Sequence, residues 1–138
     1  MFLSAKAEYA CLALLELAVR HGQPKPIRLS EVAEKHGLKK PFLVQILLQL
    51  KGAGLVASTR GATGGYQLTK APDEIRLWDI LTVVDRQDAA DVRDLTPSAL
   101  TGALATVWRR IADAREDILR GTTLADLVPD DLGTEYVI

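Results

Sequence analysis

Residues 30–68 read SEVAEKHGLKKPFLVQILLQLKGAGLVASTRGATGGYQL, and this stretch decides the fold. Ser30 is expected to cap a helix of one to two turns whose Val32 and Ala33 face inward, and Gly37 then turns the chain sharply. Pro41 suits the first turn of a second helix, where its missing N–H has no intrahelical partner to lose. Phe42, Leu43, Ile46, Leu47 and Leu50 recur at helical spacing until Lys51-Gly52-Ala53-Gly54 ends the run. Two helices joined by a short glycine turn over about 23 residues have helix-turn-helix spacing. Next, Leu55 to Arg60 alternates as a strand does, Gly61 to Gly65 is turn chemistry, and Tyr66 to Lys70 alternates again. A hairpin directly after a helix-turn-helix predicts a winged helix. Arg60 sits at its tip, and Gly61 and Gly64 permit a close approach to another surface. A plain structural hairpin is the competing reading of Arg60.

Working outward, Ser4 is placed to cap a first helix whose Tyr9, Leu12, Leu14, Leu15, Leu17 and Val19 cover most of its surface, with Gly22 stopping it. Such a helix is buried on several sides. Pro24 and Pro26 break the chain before a short extended piece, Ile27 to Leu29. Past the wing, Trp78 to Val84 reads as a short helix. Leu100, Leu104, Val107, Trp108, Ile111, Ala114, Ile118 and Leu119 then hold helical register over six turns, with Arg109, Arg110, Asp113 and Glu116 turned away. Gly121 ends that helix, and Thr122 or Thr123 caps a last short one through Leu124, Leu127 and Val128. The long helix has too little protein beside it. Its stripe is therefore predicted to pack on a second copy, making Leu100, Leu104, Val107, Trp108, Ile111 and Ile118 a dimer interface; packing back on its own chain is the alternative. The expected architecture is mainly α: a winged helix-turn-helix domain over 1–85, then a loop, the long dimerisation helix and a short helix over 86–138.

At 138 residues, with 48% hydrophobic and 25% charged side chains, the chain fits one globular domain with a core of its own. A net charge of −1 conceals an asymmetry. Residues 1–70 carry ten Lys/Arg against four acids, a balance of +6, whereas residues 71–138 carry seven Arg against fourteen acids, a balance of −7. A basic half joined to an acidic one suggests a polyanion-binding module attached to a part that avoids the same polyanion. The one cysteine excludes an intrachain disulfide, and with His21 and His36 it supplies too few ligands for a closed zinc site. A reducing cytoplasm fits this usage. The apolar start fails as a signal peptide or membrane span, because Glu8 and Glu16 interrupt it and no positive segment precedes it.

Ser4-Ala5-Lys6 with Tyr9-Ala10, residues 27–37, Gly54-Leu55-Val56 with Arg60-Gly61, and Gly64-Gly65-Tyr66-Gln67-Leu68 together resemble the Rrf-two family, the IscR/NsrR/CymR-type bacterial regulators. Trp78 to Asp85, Trp108 and Thr123-Leu124-Ala125-Asp126-Leu127 extend the resemblance to about residue 128. It implies a homodimeric transcription regulator, a repressor, that binds double-stranded DNA with its second helix-turn-helix element in the major groove and its wing at the minor groove. Many members hold an iron–sulfur cluster on three cysteines between the post-wing helix and the dimerisation helix. Here the corresponding residues 86–104 contain neither cysteine nor histidine, so no cofactor is expected. Cys11, in the apolar first helix, reads as a buried inert thiol.

In relatives the outer face of the recognition helix is polar, whereas Lys39, Lys40, Val44, Gln45, Leu48 and Gln49 are the outward candidates here. The lysines can pair with phosphates, Gln45 can bond adenine and Val44 can meet a thymine methyl, while Leu48 is expected to pack rather than read a base. The candidate DNA-binding residues are thus Lys6, Arg28, Lys39, Lys40, Val44, Gln45, Gln49, Lys51, Arg60, Gly61 and Gly64. A second reading keeps the fold but gives it to protein docking, with Val44 and Leu48 as anchors. No catalytic constellation is evident, and Gly61 to Gly65 lacks the lysine and strand-to-helix setting of a phosphate loop, so no enzyme is expected. An effector or partner protein is left open. Asp88, Asp91 and Asp94 could ligate a metal but read first as solvated loop charge, and Trp78 and Trp108 read first as core aromatics.

Overall fold

Side-chain caps and one proline set the first boundaries. The computed structural model describes residues 3–61, 64–85 and 95–129. Ser4 accepts a hydrogen bond from the Ala7 N–H at 3.0 Å and starts α1, Ala5–Val19. Helix α2, Leu29–His36, ends on Gly37 with φ 66°, a left-handed turn that glycine adopts without strain. Helix α3, Lys40–Gly52, carries Pro41 in its first turn as its sequence requires. Strand β1, Val56–Thr59, pairs antiparallel with β2, Gly65–Leu68, from Val56 opposite Leu68 to Thr59 opposite Gly65. Both strands are shorter than the alternation suggested. A 3-10 turn, Pro72–Glu74, leads into α4, Leu77–Val84. Helix α5, Ala99–Gly121, is capped by Ser98, and α6, Leu124–Leu127, by Thr123 rather than Thr122.

The start of α2 departs from expectation. Ser30 lies inside the first turn, and Arg28 occupies the capping position with no side-chain cap bond. A backbone pairing causes this: Ile27 N–H donates to the Tyr66 carbonyl at 3.0 Å and Tyr66 N–H returns to Ile27 at 2.8 Å. Leaving the sheet at Arg28, the chain enters the helix at once.

The core gathers Ala10, Leu14 and Leu17 of α1, Leu43, Ile46, Leu47 and Leu50 of α3, and Ile80, Leu81 and Val84 of α4. Tyr9 and Phe42 meet edge to face with ring centroids 4.9 Å apart, joining α1 to α3. Leu119 and Leu124 enter the same core from the C-terminal helices. Backbone bonds hold them there: Leu77 N–H to Thr122 O and Leu124 N–H to Ile75 O, both at 2.9 Å. Arg120 stacks its guanidinium over Trp78 at 4.5 Å. The anchorage of α5 is local to this end. Leu100, Leu104, Val107, Trp108, Ile111 and Ile118 are all exposed, Leu100 by 79% and Trp108 by 54%. Trp108 is therefore not a core aromatic among the described residues. Among the described residues no helix is long and apolar enough to cross a membrane.

Candidate nucleic-acid interface

Helix α3 divides cleanly by register. Leu43, Ile46, Leu47 and Leu50 are buried, and Lys40, Val44, Gln45, Leu48, Gln49 and Lys51 are exposed. Leu48 stands on the outer face, as its place among the outward candidates expects, but it is not packed: it shares a row with Val44, four residues back, and is 52% exposed against 37% for Val44. Lys39 is exposed in the capping position of α3. Among the described residues Lys39, Lys40, Lys51 and Arg60 enter no ion pair, so their charges are open to an outside anion.

The wing bends back toward α2. Arg28, Ser30, Ser58, Arg60 and Gly61 line one open groove between the start of α2 and the hairpin tip. That groove joins Arg28, Arg60, Gly61 and Gly64 from the candidate set and adds Ser30 and Ser58, which sequence reasoning did not single out. Arg60 and Gly61 are exposed, whereas Gly64 is buried with its N–H donating to Gly61 O at 2.9 Å. A Cβ on Gly64 would overlap the Thr59 carbonyl, and one on Gly65 would overlap the Ile27 backbone, so close approach within the wing demands glycine at both places. Lys6 is half-buried on α1 and does not line the groove.

Behind these surfaces lies a charge network that the sequence reading missed. Glu16 is the buried charged residue of α1, at 4% exposure. Lys35 Nζ lies 3.1 Å and His36 Nε2 3.0 Å from its Oε1, and Arg20 Nε lies 3.5 Å from its Oε2. Arg20 also reaches Glu31 of α2 at 2.8 Å. Burial pushes the Glu16 carboxyl up, but hydrogen bonds from His36 and Lys35 and the charges of Lys35 and Arg20 outweigh it and hold the group below the usual carboxylate range. The network fastens the last turn of α2 to α1. The spacing of Glu16 and Arg20, four apart on a helix, was the one available signal.

Cys11 is half-buried against the core, and burial, with the nearby charges of Asp85 and Glu8, pushes its thiol up to about 11. Asp88, Asp91 and Asp94 lie outside the described residues. Among the described residues no group of three His, Cys, Asp or Glu side chains is placed to hold a metal ion.

Comparison with known proteins agrees over nearly the whole chain. The family described as "Rrf2: Iron-dependent Transcriptional regulator" matches residues 3–130. The HTH-type transcriptional regulator CymR of Bacillus subtilis is 37% identical over 129 residues, covering 92% of this chain and 89% of CymR. The HTH-type transcriptional regulator IscR of Aliivibrio salmonicida is 34% identical, over 95% of this chain and 79% of IscR. The structure of B. subtilis CymR, the global cysteine regulator of that organism, superposes with a TM-score of 0.79 over 92% of this chain and 95% of that one. T. potens IscR, 32% identical, gives a TM-score of 0.79 over 100% of this chain and 93% of its own. With its winged helix, long C-terminal helix and matching sequence, the chain belongs to the Rrf2 family of transcriptional regulators, a family of regulators and not of enzymes.

Proposed function

We propose that the chain is a homodimeric, sequence-specific DNA-binding repressor of the cytoplasm that works without an iron–sulfur cluster. The observation that carries the reading is the outward face of α3, where Lys40, Val44, Gln45 and Gln49 stand exposed between the uncompensated Lys39 and Lys51. Residues 1–85 form the DNA-binding part: α3 enters the major groove, with Lys39, Lys40, Lys51, Lys6, Arg28 and Arg60 as phosphate or groove contacts. Residues 86–138 form the pairing part, in which the stripe from Leu100 to Ile118 meets its own copy.

The family's description invokes iron, and the donor set here does not fit a cluster. Such a centre takes several thiolates, whereas this chain has one cysteine, and its thiol resists ionisation. An oxygen-free preparation is expected to show no visible absorption band.

Titration against DNA fragments around its own promoter tests the reading directly. If each protomer neutralises about four phosphates, the log–log salt slope of the dimer is on the order of −7. Half-sites separated by about 10 base pairs are expected from recognition helices one turn apart. Absence of any bound fragment, or binding indifferent to salt, defeats the proposal. The exposure of Val44 and Leu48 favours a second reading, in which α3 docks another protein. Replacing Lys39 and Lys40 by Glu separates the two, because DNA binding collapses and apolar docking survives.

A further inference from the structure

We propose that the outward face of α3 reads A·T base pairs, with Val44 and Leu48 against thymine C5-methyl groups and Gln45 and Gln49 on adenines. This rests on the DNA-binding reading above and says what that surface prefers. Val44 and Leu48 are four residues apart, as are Gln45 and Gln49, so an apolar row and an amide row run side by side along the helix. Four residues advance the helix by about 6 Å. That is close to two base-pair steps of about 3.4 Å, so each row offers itself to positions about two pairs apart.

What α3 lacks is equally informative. Its sequence, KPFLVQILLQLKG, holds no arginine to fork onto guanine and no carboxylate to accept from the cytosine amino group, and its lysines, which can also pair with guanine, stand only at the two ends of the face. Between Lys40 and Lys51 its exposed side chains are limited to amide and aliphatic groups. Glutamine matches the N6 and N7 of adenine, and an aliphatic group matches the methyl that thymine alone carries in the major groove. Charge decides the occupant. Lys39 and Lys40 at one end of the face and Lys51 at the other lack acidic partners among the described residues, which frames the apolar row for a phosphate-lined groove.

The test selects duplexes from a random-sequence pool with the full-length protein. The affinity for the enriched duplex is then remeasured with deoxyuridine in place of each thymidine, which removes a methyl and keeps the base pair. A·T pairs are expected at the steps facing α3, with affinity falling about fourfold for each contacted thymine that loses its methyl. Val44→Ser and Leu48→Ser, both at exposed positions, should each abolish the uracil effect at one step and leave it at the other. Enrichment of G·C pairs at those steps, or a uracil duplex bound as tightly as its parent, overturns the inference while DNA binding stands. Serine variants with unchanged affinity and unchanged uracil effect overturn it too, because the methyl contacts then lie elsewhere. A folded protein that enriches no duplex overturns the DNA-binding reading itself.

Discussion

Helices α3 and α5 carry the same apolar signal in sequence and meet opposite fates. In α3, Leu43, Ile46, Leu47 and Leu50 are covered by the rest of the chain, while α5 buries only Leu119 of its long stripe. Periodicity states which face needs cover; the elements nearby decide whether the same chain supplies it. Helix α3 has α1, α2 and α4 against it, whereas α5 is held at its C-terminal end by Leu77, which bonds Thr122, and by Trp78 under Arg120. The largest expected effect follows on the covered side. Ile46→Ala should cost about 2–5 kcal/mol of stability. Thermal unfolding should move down by on the order of 10 °C. The comparison breaks if Leu104→Ala, on the exposed helix, destabilises the isolated protomer as much.

The uncovered side is sharpened by its own substitution. Leu104→Asp with Ile111→Asp puts charge in the middle of the stripe without touching the core, so the far-UV circular dichroism should stay native. Sedimentation at micromolar concentration should shift from dimer to monomer, and DNA affinity should fall at least tenfold as the second half-site is lost. A wild-type protein that sediments as a monomer at the same concentration removes the pairing proposal.

The α1–α2 side differs again, being fastened by charge as well as by apolar contact. Glu16→Gln keeps the volume but weakens two cationic contacts, with Lys35 and Arg20, and the hydrogen bond with His36. Because Lys35 is 55% exposed and Arg20 partly so, these cations can turn back to water, and a loss of about 1–2 kcal/mol is expected. The pH dependence has a definite sign. Below the ordinary value of 4.5 the unfolded carboxyl takes up a proton that the folded one, held lower, still refuses, so stability drains away as pH falls through the folded value. Urea unfolding of Glu16→Gln across that range should show a shallower acid limb than wild type. An identical limb would mean that the network contributes nothing to holding α2.

Most of the fold was legible because its punctuation is local. Ser4, Gly37, Pro41 and Gly121 act within one turn of their own positions, and the glycines of 61–65 mark the hairpin regardless of what surrounds it. What was hidden depends on partners far along the chain. Ser30 looked like the cap of α2, yet the pairing of Ile27 with Tyr66 fixes where that helix begins. Glu16 looked like an interruption in an apolar helix, since Lys35 and His36 lie about twenty residues on. Leu48 was expected to pack because it is apolar, although the row it shares with Val44 leaves it exposed. In the candidate site the charges of α3 and the wing were readable from sequence, while the groove that joins Arg28 to Arg60 required the fold.

The smallest effect belongs to Cys11, which lies on the packed side and tests how firmly that side is closed. Its thiol is raised from 9.0 to about 11 by burial and by the charges of Asp85 and Glu8. At neutral pH the reactive thiolate is then about a hundredfold scarcer than in a free cysteine, and labelling by a thiol reagent should slow at least that much in the native protein. Unfolding in guanidinium should restore the ordinary rate. Between about pH 9 and 11 the unfolded thiol ionises and the folded one does not, so stability declines over that window, a slope that Cys11→Ser should lessen while costing under about 1 kcal/mol at neutral pH. Native labelling at the rate of a free thiol would mean that α1 opens from the core on the timescale of the reagent. The contrast between a closed helical core and an uncovered α5 would then lose its physical basis.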